Sequence, residues 1–292
     1  MARSALLNVM VGAATKAGRR LAREFGEVEN LQVSLKGPSD YVSRADRQAE
    51  ETIRDELMKA RPSYGFLGEE GEEIKAEDGQ HRWIVDPLDG TTNFLHSIPL
   101  FASSIALERR GTLVAAVVYN PVLDELYTAE RGQGAFLNDR RIRVAARRKL
   151  ADCVIGCGLP HLGRGDHGRF LLQSREVMGR VAGMRRMGAA ALDLASVAAG
   201  RLDGFWEEGL EPWDIAAGLV LVREAGGFTS DMTGADRALR TGDVVAGNEA
   251  IHKQLLAALG RVALTKSATV KPDGAKPDGA SGAKVEADAA GT

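Results

Sequence analysis

The sequence predicts an α/β protein whose first half is α+β and whose second half is layered α/β. Three observations carry this. Apolar residues at helical spacing open the chain. Strand-length apolar runs separated by turns fill the rest of the first half, and beyond about residue 146 strands alternate with helices. With 292 residues and 44 % apolar content the chain can bury a sizeable core. Aromatic residues are 5 % of the chain, so Ala, Val and Leu must do most of the packing.

In order, Leu6, Met10, Ala13, Ala17, Leu21 and Phe25 recur at helical spacing and predict an amphipathic first helix rather than a signal segment. A second helix carries Ala49, Ile53 and Leu57 on one face, with Asp46 as its expected N-cap and Pro62 ending it. Tyr64 to Gly68 reads as a short strand leading to Glu69 and Glu70, and Arg82 to Val85 as a strand leading to Asp86. The runs Ser103 to Leu107, Leu113 to Tyr119 and Glu125 to Thr128 suggest an antiparallel meander. The basic stretch Arg140 to Lys149 reads as a solvated turn and edge strand and marks the division between residues 1–146 and 147–264.

In the second half, Cys153 to Gly156, Leu202 to Trp206, Phe228 to Ser230 and Asp243 to Ala246 read as strands. Gly168 to Val181, Gly188 to Ala199, Pro212 to Ala225 and Glu249 to Leu259 read as helices. The third of these has Pro in its first turn and Gly226-Gly227 at its end. Residues 265–292 hold few large apolar side chains and a tandem Lys-Pro-Asp-Gly-Ala repeat, so a disordered tail is expected.

The net charge of −2 argues against bulk-charge binding of nucleic acid, and no apolar run approaches the ~20 residues that span a membrane. Cys153 and Cys157 are too few for a disulfide framework and fit buried thiols in the reducing cytoplasm.

The carboxylates carry the chemistry. Glu69, Asp86, Asp89 and Asp214 each fall at the end of an expected strand or the start of an expected helix, where a merely solubilising charge has no reason to sit. Asp86-Pro87-Leu88-Asp89-Gly90-Thr91-Thr92 places two of them three residues apart, across an expected tight turn, ahead of a helix start. Hard oxygen donors of this kind suit Mg²⁺. Two such ions ~3.5–4 Å apart clamp the attacking and leaving oxygens of a phosphoryl transfer, with Asp86 the natural bridge. Backbone N–H groups at Gly90 and Thr91 suit a phosphate oxygen. There is no Gly-x-x-x-x-Gly-Lys-Ser/Thr loop, no Gly-x-Ser-x-Gly elbow and no His-x-x-x-His pair, and the five histidines are scattered. A haloacid-dehalogenase-type phosphatase remains a rival, although it wants Asp-x-Asp with one intervening residue and an aspartyl nucleophile.

Gly68-Glu69-Glu70, Trp83-Ile84-Val85-Asp86-Pro87-Leu88-Asp89-Gly90-Thr91-Thr92-Asn93-Phe94 and Trp213-Asp214-Ile215-Ala216-Ala217-Gly218 together resemble the inositol monophosphatase family over residues 5–260. The resemblance implies an alternating-layer αβαβα sandwich, commonly dimeric and Li⁺-sensitive, using two to three Mg²⁺ ions. It implies that Glu69, Asp86 and the Leu88 carbonyl hold one ion, that Asp86, Asp89 and Asp214 hold a second, and that a third, weaker ion lies near Glu69. Thr91 with Asp46 would orient the attacking water beside Glu69. Lys36 would lie on a mobile loop, Lys36 to Asp40. Gly188, Ala189 and Ala190 would offer backbone donors, and Glu207 would contact substrate hydroxyls. The implied reaction is metal-dependent hydrolysis of a small phosphate monoester, with myo-inositol monophosphate the first expectation. Fructose 1,6-bisphosphate, histidinol phosphate and adenosine 3′,5′-bisphosphate are alternatives, as is a moonlighting binding protein on this fold. Ala189 departs from the Ser or Thr of many relatives and removes a hydroxyl.

Overall fold

The structure is a computed structural model and describes residues 3–31, 38–160 and 165–265. Lys36 and the 266–292 tail therefore lie outside the described residues. Helices α1 (Ala5–Leu31) and α2 (Pro38–Ala60) come first. Seven strands follow in one sheet in chain order: β1 (Gly65–Gly68), β2 (His81–Asp89), β3 (Ala102–Arg109), β4 (Thr112–Asn120), β5 (Glu125–Glu130), β6 (Gly134–Leu137) and β7 (Arg140–Ile142). β1 and β2 are parallel and the rest of the ladder is antiparallel. A one-turn helix, α3 (Thr91–Leu95), follows β2.

The second sheet has five strands in the order β11-β12-β10-β8-β9. They are β8 (Val154–Cys157), β9 (Gly183–Arg185), β10 (Gly204–Glu207), β11 (Phe228–Ser230) and β12 (Val244–Gly247). Between them come α4 (His167–Met178), α5 (Ala190–Ala198), α6 (Pro212–Glu224), α7 (Ala238–Thr241) and α8 (Glu249–Thr265).

Strand periodicity builds the layers, because successive side chains leave a strand on opposite faces. On β2 and β4, Trp83, Val85, Ala115 and Val117 join Met10, Ala17, Leu21, Ile53 and Leu57 of α1 and α2. The alternate residues Ile84, Ala116 and Val118 instead join α5 and α6. The second sheet repeats the division. Phe205, Val244 and Ala246 face α5 and α6, whereas Ile155, Trp206 and Val245 face Val177 of α4 and Ile251, Leu255 and Leu259 of α8. The sequence of layers is helix, sheet, helix, sheet, helix, the αβαβα sandwich. The middle layer explains the Ala-rich helix: every residue of α5 is buried, so an apolar stripe gives way to an all-round apolar surface. Gly218 on α6 leaves room for Leu194 of α5, which a side chain there would strike.

Three expectations are corrected. Asp46 is not an N-cap: α2 begins at Pro38, a residue suited to a helix's first turn, and Asp46 lies buried in the helix interior. The expected loop Lys36 to Asp40 consequently has its last three residues in that helix. The Asp86–Asp89 segment is no tight turn either. β2 continues through it, and the pairing shifts from Asp86↔Ser104 to Asp89↔Ala102, so one extra residue bulges from the ladder at Pro87-Leu88. Pro87 lacks the N–H a regular ladder would use, and Ser103 Oγ donates to its carbonyl at 2.8 Å. The short strands β6 and β9 and the helix α7 were not anticipated. The edge-strand reading of the basic stretch is met by β7.

Candidate active site

Apart from Asp46, the candidate side chains stand where an element ends or begins. Glu69 follows β1, Asp86, Leu88 and Asp89 occupy the bulged end of β2, Glu207 is the last residue of β10, and Asp214 is in the first turn of α6. Gly90, at φ 90°, turns the chain from β2 into α3, where a side chain would meet the Leu100 carbonyl oxygen at 2.8 Å and Ala189 Cβ at 3.1 Å. Gly188, at φ 84°, turns it into α5. All these residues, with Thr91, Ala189 and Ala190, border one polar cleft of about 190 Å³. Arg186 and Asp193 border it as well, and neither was singled out from the sequence.

Hydrogen bonds from distant segments fix the walls. Asp89 Oδ2 accepts from the Ala191 N–H at 2.7 Å, tying the β2 bulge to the N-terminus of α5. Asn93 Nδ2 donates to the carbonyls of Leu100 at 2.7 Å and Met187 at 2.8 Å, joining α3 to the segment before Gly188. Asp214 Oδ2 accepts from Glu211 N–H at 2.8 Å, and the Glu211 side chain returns the bond in a capping box. The Glu70 N–H donates to Glu50 Oε2 at 2.8 Å, which anchors the loop presenting Glu69. Thr91 Oγ1 donates to the Leu88 carbonyl at 3.1 Å rather than to Asp46, and Asp46 Oδ1 has no hydrogen-bond partner among the described residues.

Crowding of carboxylates dominates the electrostatics. Burial, then Glu69 and Asp89, hold Asp86 well above the usual carboxylate range, and burial, then Asp214, do the same to Asp89. Burial, then Asp214, push Glu69 up to about 7 against a hydrogen bond with Asp86. Asp46 rises to about 8, again through burial first and then through Glu69, Glu70 and Glu50. Asp46 is thus buried beside the carboxylates while lying outside the cleft lining.

Such a set is poor company for itself and good company for a divalent cation. All donors are hard oxygens, and the orphaned Asp46 Oδ1 and the raised carboxyl groups mark a region lacking positive charge. Among the described residues no three His, Cys, Asp or Glu side chains close into a ready cage. An open set fits Mg²⁺, which keeps several water ligands and shares substrate oxygens.

The model of the inositol monophosphatase family matches residues 2–263. An inositol-1-monophosphatase of Rhizobium meliloti (strain 1021) is 70 % identical over 261 residues, covering 89 % of this chain and 98 % of its own length. The chain belongs to the inositol monophosphatase family. Membership makes it a phosphoric monoester hydrolase of a metal-dependent family. The native crystal structure of extragenic suppressor protein suhB from Bartonella henselae superposes with a TM-score of 0.82 at 64 % identity, covering 88 % of this chain and 98 % of that one. A Nus factor SuhB of Pseudomonas aeruginosa is 46 % identical over 258 residues, 87 % of this chain and 95 % of its own. The layered fold of this inositol monophosphatase family member thus agrees with its solved relatives. Among the described residues no helix is long and apolar enough to cross a membrane.

Proposed function

We propose that this chain hydrolyses a small phosphate monoester, myo-inositol monophosphate foremost, with two to three Mg²⁺ ions and as a Li⁺-sensitive homodimer in the cytoplasm. The observation that carries the reading is the convergence of Glu69, Asp86, Asp89, Glu207 and Asp214 on one cleft at the N-terminus of α5. Glu69, Asp86 and the Leu88 carbonyl would hold one ion, and Asp86, Asp89 and Asp214 a second. When bound, the ions would neutralise the carboxylates, activate a water and stabilise the leaving oxygen. The chain's own groups do the rest. Glu69 and the Thr91 hydroxyl, the latter held by the Leu88 carbonyl, orient the water. Asp46, held at about 8 by burial and by Glu69, would add negative charge behind Glu69 once the ions draw off its proton. Backbone N–H groups of Gly90, Thr91 and the Gly188–Ala190 segment receive phosphate oxygens, since Ala191 N–H is already committed to Asp89. Glu207 accepts from a substrate hydroxyl. Cys153 and Cys157 are buried free thiols, pushed up to about 11 and about 12 by burial, and so stay protonated and unreactive.

The test is phosphate release from myo-inositol 1-phosphate, fructose 1,6-bisphosphate, histidinol phosphate and adenosine 3′,5′-bisphosphate, each with Mg²⁺ and with or without Li⁺. The reading expects inositol phosphate to be turned over best and Li⁺ to inhibit. Turnover of none of the four would refute it. A binding role beside catalysis is favoured by the 46 % identity to a protein named Nus factor SuhB. If no protein co-purifies with the full chain, that second role falls.

A further inference from the structure

Asp193 is a buried carboxyl group without an evident structural purpose. It lies in the first turn of α5, is 1 % exposed, and borders the cleft beside Glu207 and Arg186. Its Oδ1 has no hydrogen-bond partner among the described residues. A place in the first turn of a helix stabilises an acidic side chain only modestly. That does not offset the cost of burying an unpaired carboxyl group. The backbone makes room for it nonetheless: at Gly156 a Cβ would stand 3.0 Å from Asp193 Oδ1, and at Gly158 one would collide with Glu207. Two glycines thus clear space for two carboxylates at one end of the cleft. Asp193 shares the cleft lining with Glu207, the residue proposed above to meet a substrate hydroxyl, so a substrate's alcohol portion would rest here.

We propose that Asp193 is a specificity-determining residue that accepts a hydrogen bond from a hydroxyl of the substrate's alcohol portion, adjacent to the one received by Glu207. This rests on the phosphatase reading above and deepens it. Burial, then Glu207 and Asp89, hold Asp193 well above the usual carboxylate range, and in either protonation state it keeps lone pairs, so a hydroxyl donor is a fitting partner. Two neighbouring carboxylates match neighbouring hydroxyls of a polyol or cyclitol. They would repel the second phosphate of a bisphosphate, a repulsion that Arg186 offsets only in part among the described residues. An aryl or plain alkyl ester would leave Asp193 buried and unpaired, and sites built to bond a hydroxyl reject analogues that lack it.

The experiment compares kcat/KM for myo-inositol 1-phosphate and for phenyl phosphate, both with Mg²⁺, in the wild type, Asp193→Asn and Asp193→Ala. The wild type should favour the inositol ester. In Asp193→Ala the ratio of the two kcat/KM values should fall ~10-fold or more, as expected for loss of a hydrogen bond to a charged group. Asp193→Asn keeps one carbonyl acceptor and should retain part of the preference. If the alanine variant fails to fold, the asparagine variant decides alone by the same ratio. A ratio held at the wild-type value in a folded variant overturns the proposal and leaves the phosphatase reading standing. Equal use of both esters by the wild type does likewise. Turnover of neither ester by the wild type overturns the phosphatase reading, and this proposal with it.

Discussion

Asn93→Ala tests whether the cleft depends on a strut between the two sheets. Asn93 is buried, at 5 % exposure, and its amide donates to the carbonyls of Leu100 at 2.7 Å and Met187 at 2.8 Å. Met187 directly precedes the Gly188–Ala190 segment that forms the phosphate side of the cleft. The alanine variant removes two bonds worth about 1 kcal/mol each and strands two largely buried carbonyls, for a total loss of about 2–4 kcal/mol. In a chain of this size that lowers Tm by about 5–10 °C. It also frees the start of α5 to move relative to Asp89 and Gly90. Because a misplacement near 1 Å can cost ~100-fold, kcat/KM for phosphate release should fall at least ~10-fold at 25 °C, well below Tm. Asn248→Ala is the control. The Asn248 amide likewise donates to two carbonyls, of Ala145 at 2.8 Å and Arg147 at 2.7 Å, and none of these residues lines the cleft. It should lose comparable stability with kcat/KM within about 2-fold of wild type. Equal kcat/KM in the two variants would refute the strut argument.

Three further expectations follow from the same geometry. Gly90→Ala forces a side chain at φ 90° toward the Leu100 carbonyl oxygen, 2.8 Å from the new Cβ, and should cut kcat/KM ~100-fold, measured by phosphate release. Asp203→Ala removes the acceptor of the Val154 N–H at 2.8 Å and of Arg147, costing about 2–3 kcal/mol in urea melts while kcat/KM is kept. Asp46 and Glu69, held at about 8 and about 7, titrate near 4 in the unfolded chain, so between those values the metal-free fold binds more protons than the unfolded chain. Stability must therefore fall as pH rises through that window. Tm in EDTA should be lower at pH 8 than at pH 5, with Mg²⁺ raising it most at pH 8, and the reverse order in EDTA would contradict the assignment.

The layering was legible because it is written in alternation: Trp83, Ile84 and Val85 are all apolar because they serve two cores, and the Ala-rich run after Gly188 is buried all round because it lies between two sheets. Short elements were not legible, since the three residues of β9 carry no period of their own. Asp46 was misplaced because an Asp ahead of an apolar helix face imitates an N-cap, and nothing local reveals that Pro38 starts the helix earlier. The β2 bulge reads as a turn in sequence because Asp-Pro-Leu-Asp-Gly has turn chemistry, whereas pairing with Ser104 and Ala102 on the next strand, and the Ser103 hydroxyl on the Pro87 carbonyl, make it a bulge. The carboxylates at element ends were visible as a group. Asp193 was not, since a lone Asp in a first helical turn is ordinary, and its meaning lies in its burial, its orphaned oxygen and the space left by Gly156.

Asp86→Asn puts the carboxylate cleft to the test as the catalytic centre. Asp86 is 2 % exposed and is affected by Glu69, Asp89, Asp214 and Asp46 together. Phosphate release from myo-inositol 1-phosphate at saturating Mg²⁺ should fall to background in this variant, with its circular dichroism spectrum and cooperative melting preserved. A folded Asp86→Asn protein that releases phosphate at the wild-type rate would contradict the account.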